Sequence, residues 1–419
     1  MKRIAYKYRI YPNTEQKIFF AKCFGCVRFF YNKSLSDMNE IYESTGKFKN
    51  LTPASYKEDY SFLKEVDSLA LSNAQLNRNI AFKDFMKKNY TNNKDKPNFK
   101  SKRNDQSYTT NMVNGNIKIS SNNRYISIPK CSRIRIKMHR TFIGTIKSIT
   151  VSRTTDNKYY MSLLVEEENK PMEPSDKMIG LDLGLKNLVV DSNGHKYKNH
   201  KYLTKSQKKL AKEQRKLSKM VKGSNNRNKQ RIKIAKLHKK IYNQRNDYLH
   251  KLSKSIIDEN QIICIESLSV KDMMNDSKLA RNISDVSWSR LVSLLIYKAD
   301  WYGRKIIKVP STYPSSQLCS KCSYKNSITK DLAIRKWTCP KCGTIHDRDI
   351  NAAKNILSKG IKILTKDGTH PDSLFMLGSL ESSSKKPSLF KRLEYVTRCW
   401  SFILILRLYG CFSLFRLNG

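Results

Sequence analysis

Four cysteines constrain this chain more than any other feature. They stand as Cys319-x-x-Cys322 and, sixteen residues on, Cys339-x-x-Cys342. Two such pairs form knuckles that close on one tetrahedral ion, and in a reducing compartment the pattern reads as a structural four-thiolate zinc ribbon. The segment behind the second knuckle is less ordinary. The stretch "CPKCGTIHDRDINAAKNIL" puts Asp347 and Asp349 at the mouth of a helix directly after it. Four thiolates already fill the ion's sphere, so His346 is not expected as a ligand. Cys23 and Cys26, in "AKCFGCVRFF", have no second pair nearby and lie in an apolar helical run, which places them in a core.

Two further carboxylates stand where carboxylates are costly. Asp182 lies in "IGLDLG", an apolar strand with Gly180 and Gly184 on either side, and Glu266 ends the apolar run "IICIES". A charge in such a strand costs several kcal/mol unless it is paired or holds a metal. The glycines leave room for another backbone or a phosphate to approach. Stripped of insertions, the element order is three strands, helix, strand, helix, strand, helix, which is the ribonuclease H-like plan. In it the last helix packs Ala352, Ala353 and Ile356 on the sheet and aims Asp349 at the strand ends holding Asp182 and Glu266. Three convergent carboxylates suit Mg²⁺ or Mn²⁺, and two such ions about 4 Å apart serve phosphodiester hydrolysis. Each acid taken singly has a plainer reading: a helix cap for Asp347 or Asp349, a strand end for Glu266, a turn for Asp182. All three in this order favour the nuclease; Asp347 is assigned to the cap and Asp191, in "VVDSNG", to a turn.

The charge balance points to a polyanion. Lys and Arg total 81 against 35 Asp and Glu, a formal net charge of +46. The basic residues run along the whole chain rather than on one amphipathic helix, so nucleic acid is favoured over a membrane surface. "KRIAYKYRIYP" reads as a strand, and residues 12–92 read as helical. Residues 89–110 read as a basic loop, after which five alternating segments up to Glu168 read as strands of a small antiparallel barrel that the opening strand joins. Residues 202–260 read as a basic helical hairpin broken near Gly223. Candidate nucleic-acid contacts are Lys100, Lys102 and Arg103 in the loop, and Lys208, Lys209, Arg215, Arg231 and Lys233 on the hairpin. Arg348 is a candidate for the scissile phosphate, though an exposed arginine is its simpler reading. Tyr6, Tyr8, Tyr11, Tyr90, Phe99, Tyr108, Tyr159 and Tyr160 are candidates for base stacking or for core packing.

Taken together, "IGLDLGLKNLVV", "ICIESLSVKDM", "PSSQLCSKC", "WTCPKCG" and "HDRDINAAKNIL" resemble the TnpB family, transposon-encoded RNA-guided DNA nucleases related to the small type V CRISPR effectors. "YKYRIYPNTEQ" and "KPNFKSKRN" are similar to it as well, and the likeness spans residues 2 to 360. The resemblance implies an α/β plus β-barrel, multidomain architecture. Residues 1–11 and 105–170 would form a wedge-like barrel, and 12–104 a helical recognition lobe with its basic loop. Residues 171–310 and 345–360 would form a RuvC-type nuclease domain, 311–344 the inserted zinc ribbon, and 361–419 a poorly ordered tail. It implies catalytic Asp182, Glu266 and Asp349, two Mg²⁺ (or Mn²⁺), a structural Zn²⁺, a guide RNA made from the transposon end, and double-stranded target DNA beside a short flanking motif. The tail matches no family pattern. Met1-Lys2-Arg3 opens no apolar run, so a bacterial-type cytoplasmic protein is expected, on the nucleoid when bound to DNA. The competing expectation is a non-catalytic nucleic-acid-binding regulator of transposition or transcription, which the complete acidic triad disfavours.

Overall fold

In the computed structural model, residues 1–87, 96–268, 283, 285–331 and 333–367 are described. The chain divides into two compact units, residues 1–169 with 216–236, and residues 170–215 with 237–419. The expectation for the tail beyond Asp367 lies outside the described residues, as does Tyr90.

The first unit is built on a seven-stranded antiparallel sheet. Its strands are β1 (Lys2–Tyr11), β2 (Gln106–Asn111), β3 (Lys118–Ile119), β4 (Tyr125–Ile128), β5 (Cys131–Lys137), β6 (Thr145–Arg153) and β7 (Tyr159–Glu167). They lie in the order β2-β6-β7-β1-β5-β4-β3. The opening strand therefore sits mid-sheet, paired with β7 from Lys2 to Ile10 and with β5 at its other end. The expected barrel is not closed by strand pairing: among the described residues β2 and β3 end the ladder without meeting. Instead helix α1 (Thr14–Thr45) lays Phe20, Phe24 and Phe30 into one core with Tyr8, Tyr108, Ile134, Ile149 and Met161. Asn13 starts α1 through a reciprocal capping box with Gln16. The short α2 (Pro53–Tyr56) and the longer α3 (Ser68–Lys87) complete this cover. Cys23 and Cys26 are buried in it.

One element of this unit departs from the expectation. Residues 106–111, read as loop, form β2, because Tyr108 and Thr110 alternate inward. The buried Thr110 hydroxyl donates to Asp67, which makes an inward threonine tolerable where sequence polarity suggested a loop.

The second unit carries a five-stranded sheet of β8 (Met178–Leu183), β9 (Asn187–Asp191), β10 (Lys196–Lys198), β11 (Ile262–Glu266) and β12 (Lys305–Val309), in the order β10-β9-β8-β11-β12. The first three form an antiparallel meander, and β11 and β12 add in parallel beside β8. Two basic helices, α4 (Tyr202–Ser218) and α5 (Asn225–Glu259), separate β10 from β11, and α6 (Trp288–Tyr302) separates β11 from β12. Because side chains alternate, each central strand has two apolar faces. Ile179, Leu181, Ile263 and Ile265 face Leu252, Ile256, Leu291 and Leu295 of α5 and α6. On the other face Ile262, Cys264, Ile307 and Val309 meet Ile356 and Leu364 of α7 (Arg348–Lys366). Helix α7 continues six residues past Gly360, into the segment expected to be tail.

The contact between α7 and the sheet depends on two glycines. A Cβ on Gly180 would lie 2.2 Å from the Ala353 carbonyl oxygen and 2.8 Å from the Leu357 backbone nitrogen, and one on Gly360 would lie 2.2 Å from Cys264 Sγ. The bareness of Gly180 thus admits a helix backbone. No helix of the described residues is long and apolar enough to cross a membrane.

Candidate nuclease site

The strand register places two of the three carboxylates. Leu181 of β8 is paired with Ile265 of β11, so the next residues, Asp182 and Glu266, stand side by side at the carboxyl ends of adjacent parallel strands. Alternation puts both on the face that receives α7, the same face as Gly180 and Cys264. Ligands of open α/β sheets characteristically sit at such strand ends. Helix α7 brings the third. Asp349, Ala353, Ile356 and Gly360 recur at helical spacing, so the stripe that seats α7 on the sheet begins with Asp349.

Electrostatics report the convergence. Burial, and after it the negative charges of Asp349 and Glu266, push the Asp182 carboxyl up to about 7 against the cations of Arg348 and Arg335. Burial raises Glu266 as well. A buried carboxyl facing two further carboxylates favours positive charge, and oxygen-only donors of this kind suit a hard dication.

Asp347 does something different. Its Oδ1 accepts the backbone N–H groups of Asp349 and Ile350, which makes it the N-cap of α7, and its Oδ2 takes Lys196 Nζ at 2.6 Å. Burial acts to raise its pKa but is outweighed by the Lys196 bond and the helix N–H groups, leaving it below the usual carboxylate range. Asp191 is also structural: it is buried, accepts the N–H groups of Asn193 and His195, and meets the Tyr197 hydroxyl at 3.3 Å.

The thiolate cluster lies next to this site in the chain and is docked on α7. The four Sγ atoms of Cys319, Cys322, Cys339 and Cys342 lie within 4.8 Å of one another. Cys319–Cys342 and Cys322–Cys339 are separated by 3.6 and 3.5 Å, near the separation of about 3.8 Å that tetrahedral Zn–S bonds impose. The donor set therefore fits zinc. His346 is buried with Nε2 3.1 Å from Cys319 Sγ and its ring against Trp337, so it abuts the cluster from outside the four-sulfur set. Asn351 of α7 accepts the Ser320 N–H and donates to the Leu318 carbonyl, and Asn355 donates to the carbonyls of Ser315 and Leu318. Two amides on one helix face thus read the backbone that leads into the first knuckle.

Two arginines correct or extend the sequence reading. Arg348 is buried, not exposed: its Nη1 donates to the Asp331 carbonyl and its N–H to that of Arg335. Arg335, which sequence reading passed over, donates to Asp349 Oδ1 at 3.2 Å. Nothing in the sequence distinguished it among the Lys and Arg residues. The remaining candidate cations, Lys102, Arg103, Lys208, Lys209, Arg215, Arg231 and Lys233, are exposed. Lys100 is exposed as a residue, but its ammonium lies 4.2 Å from the centre of the Tyr31 ring, and burial there pushes its pKa down to about 8. Of the candidate aromatics, Tyr8, Tyr108 and Tyr159 are buried, while Tyr11 and Phe99 are exposed.

Comparison with known proteins gives the family. Residues 162–276 match a family model described as "Probable transposase", and residues 288–356 match a Cas12f1-like TNB domain. Residues 1–47 match a helix-turn-helix model, although here they form one strand and one long helix. A "Putative RNA-guided DNA endonuclease" of Streptomyces pristinaespiralis is 35% identical, over 85% of this chain and 89% of that one. A second protein with that description, InsQ of Escherichia coli (strain K12), is 32% identical over 87% and 94%. Among solved structures, a Cas12f1–sgRNA–target DNA complex aligns with TM-score 0.52 at 16% identity, covering 81% of this chain and 82% of that one, a likeness of fold. The identities and coverage of the two bacterial relatives establish that the chain belongs to the TnpB family.

Proposed function

We propose that the protein is an RNA-guided DNA endonuclease that hydrolyses target DNA at Asp182, Glu266 and Asp349, in a RuvC-type, ribonuclease H-like nuclease domain. The carrying observation is the strand register that sets Asp182 and Glu266 side by side at the ends of β8 and β11, on the face that receives α7 and its Asp349. The strand order β10-β9-β8-β11-β12 with α7 on one face supports the domain assignment. The family supplies the guide RNA and the DNA target, the names its relatives carry. A guide drawn from the transposon end and a short flanking DNA motif belong to the same proposal.

The three carboxylates would hold two Mg²⁺ or Mn²⁺ ions, which when bound supply a polarised phosphate and a deprotonated water. The chain's own groups set the conditions. Asp182, raised by burial and its neighbours, would release its proton to serve as a ligand. Asp349 is delivered by α7, whose start is fixed by the Asp347 cap and by Lys196. Arg335 pairs with Asp349 and offsets part of its charge. The four cysteines would hold Zn²⁺ as a structural ion, keeping the segment that carries Arg335 against α7.

The test is cleavage by protein purified with its co-expressed flanking RNA. Wild type should cut DNA complementary to that RNA, and Asp182→Ala should bind the same DNA without cutting it. Cleavage surviving in Asp182→Ala sinks the site assignment. Absence of any discrete co-purifying RNA sinks the guided reading.

A further inference from the structure

The outward face of the seven-stranded sheet has a composition that its core does not explain. Inward positions carry Tyr8, Ile10, Ile134, Ile136 and Met161. The alternate, outward positions of β1, β7, β5 and β4 carry tyrosines and cations that meet face to face. The Arg9 guanidinium lies 5.5 Å from the Tyr11 ring centre and 5.1 Å from that of Tyr160, and the Arg135 guanidinium lies 5.8 Å from Tyr11. Arg133 lies 5.3 Å from Tyr125. Arg9 Nη1 is shielded among these rings and has no acceptor among the described residues.

This strip runs to the β3 end of the sheet, where an open recess of about 310 Å³ lies. Tyr125, Arg133, Lys118, Asn122 and Ser127 are among its lining, and no carboxylate is. Asn122 uses its carbonyl oxygen on Ser120 Oγ and the Arg124 N–H, which turns its amide N–H groups to other acceptors. Ser127 Oγ accepts the Arg133 N–H and keeps its own proton to donate.

Arg133 is held there at a cost. Its φ is 48°, a left-handed backbone that side chains other than glycine rarely adopt. Two β5 residues, Ser132 and Arg133, stand opposite the single Ser127 of β4, between the pairs Ile126–Ile134 and Ile128–Cys131. That is a β-bulge, a device that re-aims a side chain. Gln16 of α1 secures it by donating to the carbonyls of Ser132 and Arg133. Glycine would suit this backbone better, and the strained arginine points to a use for its guanidinium.

We propose that this recess binds one unpaired RNA nucleotide, its base on Tyr125 and its phosphate between Arg133 and Lys118, as the end of a single-stranded path along the outward sheet face. An aromatic face flanked by cations suits an unstacked base and its backbone, and the Asn122 and Ser127 donors suit a ribose hydroxyl. The proposal rests on the RNA-guided reading and adds to it a defined subsite.

The experiment uses full-length protein freed of nucleic acid and a short labelled oligouridine, with binding read by fluorescence anisotropy over a range of salt. Tyr125→Ala should weaken binding about 5-fold or more with the log–log salt slope unchanged, since stacking releases no counterion. Arg133→Gly should reduce the slope by about 0.7 while leaving the melting temperature equal or higher, because the strain is relieved. Lys17→Ala, on the exposed surface of α1, should leave the Tyr125 effect intact. Ultraviolet cross-linking of the same oligomer should label the segment 118–135. Wild-type binding with Tyr125→Ala and Arg133→Gly indistinguishable from it overturns the subsite and leaves the guided reading standing. Wild type that binds no RNA overturns both. Equal affinity for an oligothymidine of the same length overturns the RNA assignment in favour of single-stranded DNA.

Discussion

At the scale of single residues, Asp182 is the group whose ionisation matters most. Its folded carboxyl is raised from 3.8 to about 7. A raised acid binds its proton more tightly folded than unfolded, so its contribution to stability is complete below the unfolded value and is lost as pH rises toward the folded one. The metal-free protein should therefore lose stability through this group between roughly pH 4 and 7, at up to about 1.4 kcal/mol per pH unit. Asp182→Asn removes the effect. In magnesium-free buffer without chelator the variant should melt above wild type at pH 8, with the gap closing near pH 4.5; a constant gap would show that Asp182 does not titrate in this window. Added Mg²⁺ should raise the wild-type melting temperature more at pH 8 than at pH 6, and should leave Asp182→Asn little changed. The three acids were legible in the sequence because a carboxylate in an apolar strand is conspicuous. Arg335 and the burial of Arg348 were not, since an arginine carries no local sign of whether a carboxylate or a carbonyl will meet it in space.

At the scale of elements, the site exists because α7 lies close to the sheet. Gly180→Ala would drive a methyl into the backbone of Ala353 and Leu357, and neither can move without the helix. Overpacking of this kind costs about 1 to 3 kcal/mol, and here it lifts the stripe that begins at Asp349. The expected outcome is lower stability together with a larger loss of cleavage than of DNA binding. Gly360→Ala meets mainly the Cys264 side chain, so Cys264→Ala should recover part of the lost stability in a double-mutant cycle. No recovery would mean that α7 is held elsewhere. The ribbon makes a further prediction: Cys339→Ala should release zinc and lower Mn²⁺ affinity at the carboxylates, because the backbone read by Asn351 and Asn355 and the Arg335 side chain leave their places. Unchanged Mn²⁺ affinity with zinc lost would separate the two metal centres. Strands such as "IICIES" and the α7 stripe were legible from periodicity. Strand β2 was not, because the satisfaction of Thr110 comes from Asp67, distant in sequence and invisible to a local pattern.

At the scale of the whole molecule, the governing quantity is the net charge of +46. Cations such as Lys208, Lys209 and Arg231 have exposed side chains, and their mutual repulsion opposes the compact state until a polyanion lies among them. On the proposed guided function, bound RNA would be a stabilising ligand by mass action as well as a guide. Protein carrying its co-purified RNA should melt well above the same protein after ribonuclease treatment. The difference should shrink steeply as salt rises, because each phosphate neutralised releases a counterion whose entropy gain falls with salt concentration. Raising salt should also narrow the gap from the other side, by screening the repulsion in the RNA-free protein. Differential scanning fluorimetry of both forms over a salt series measures this directly. A gap that does not change with salt would locate the RNA's contribution in base-specific contacts such as the Tyr125 recess rather than in the general field. A gap absent at low salt would mean that the charge answers to DNA alone, with RNA no part of the folded particle.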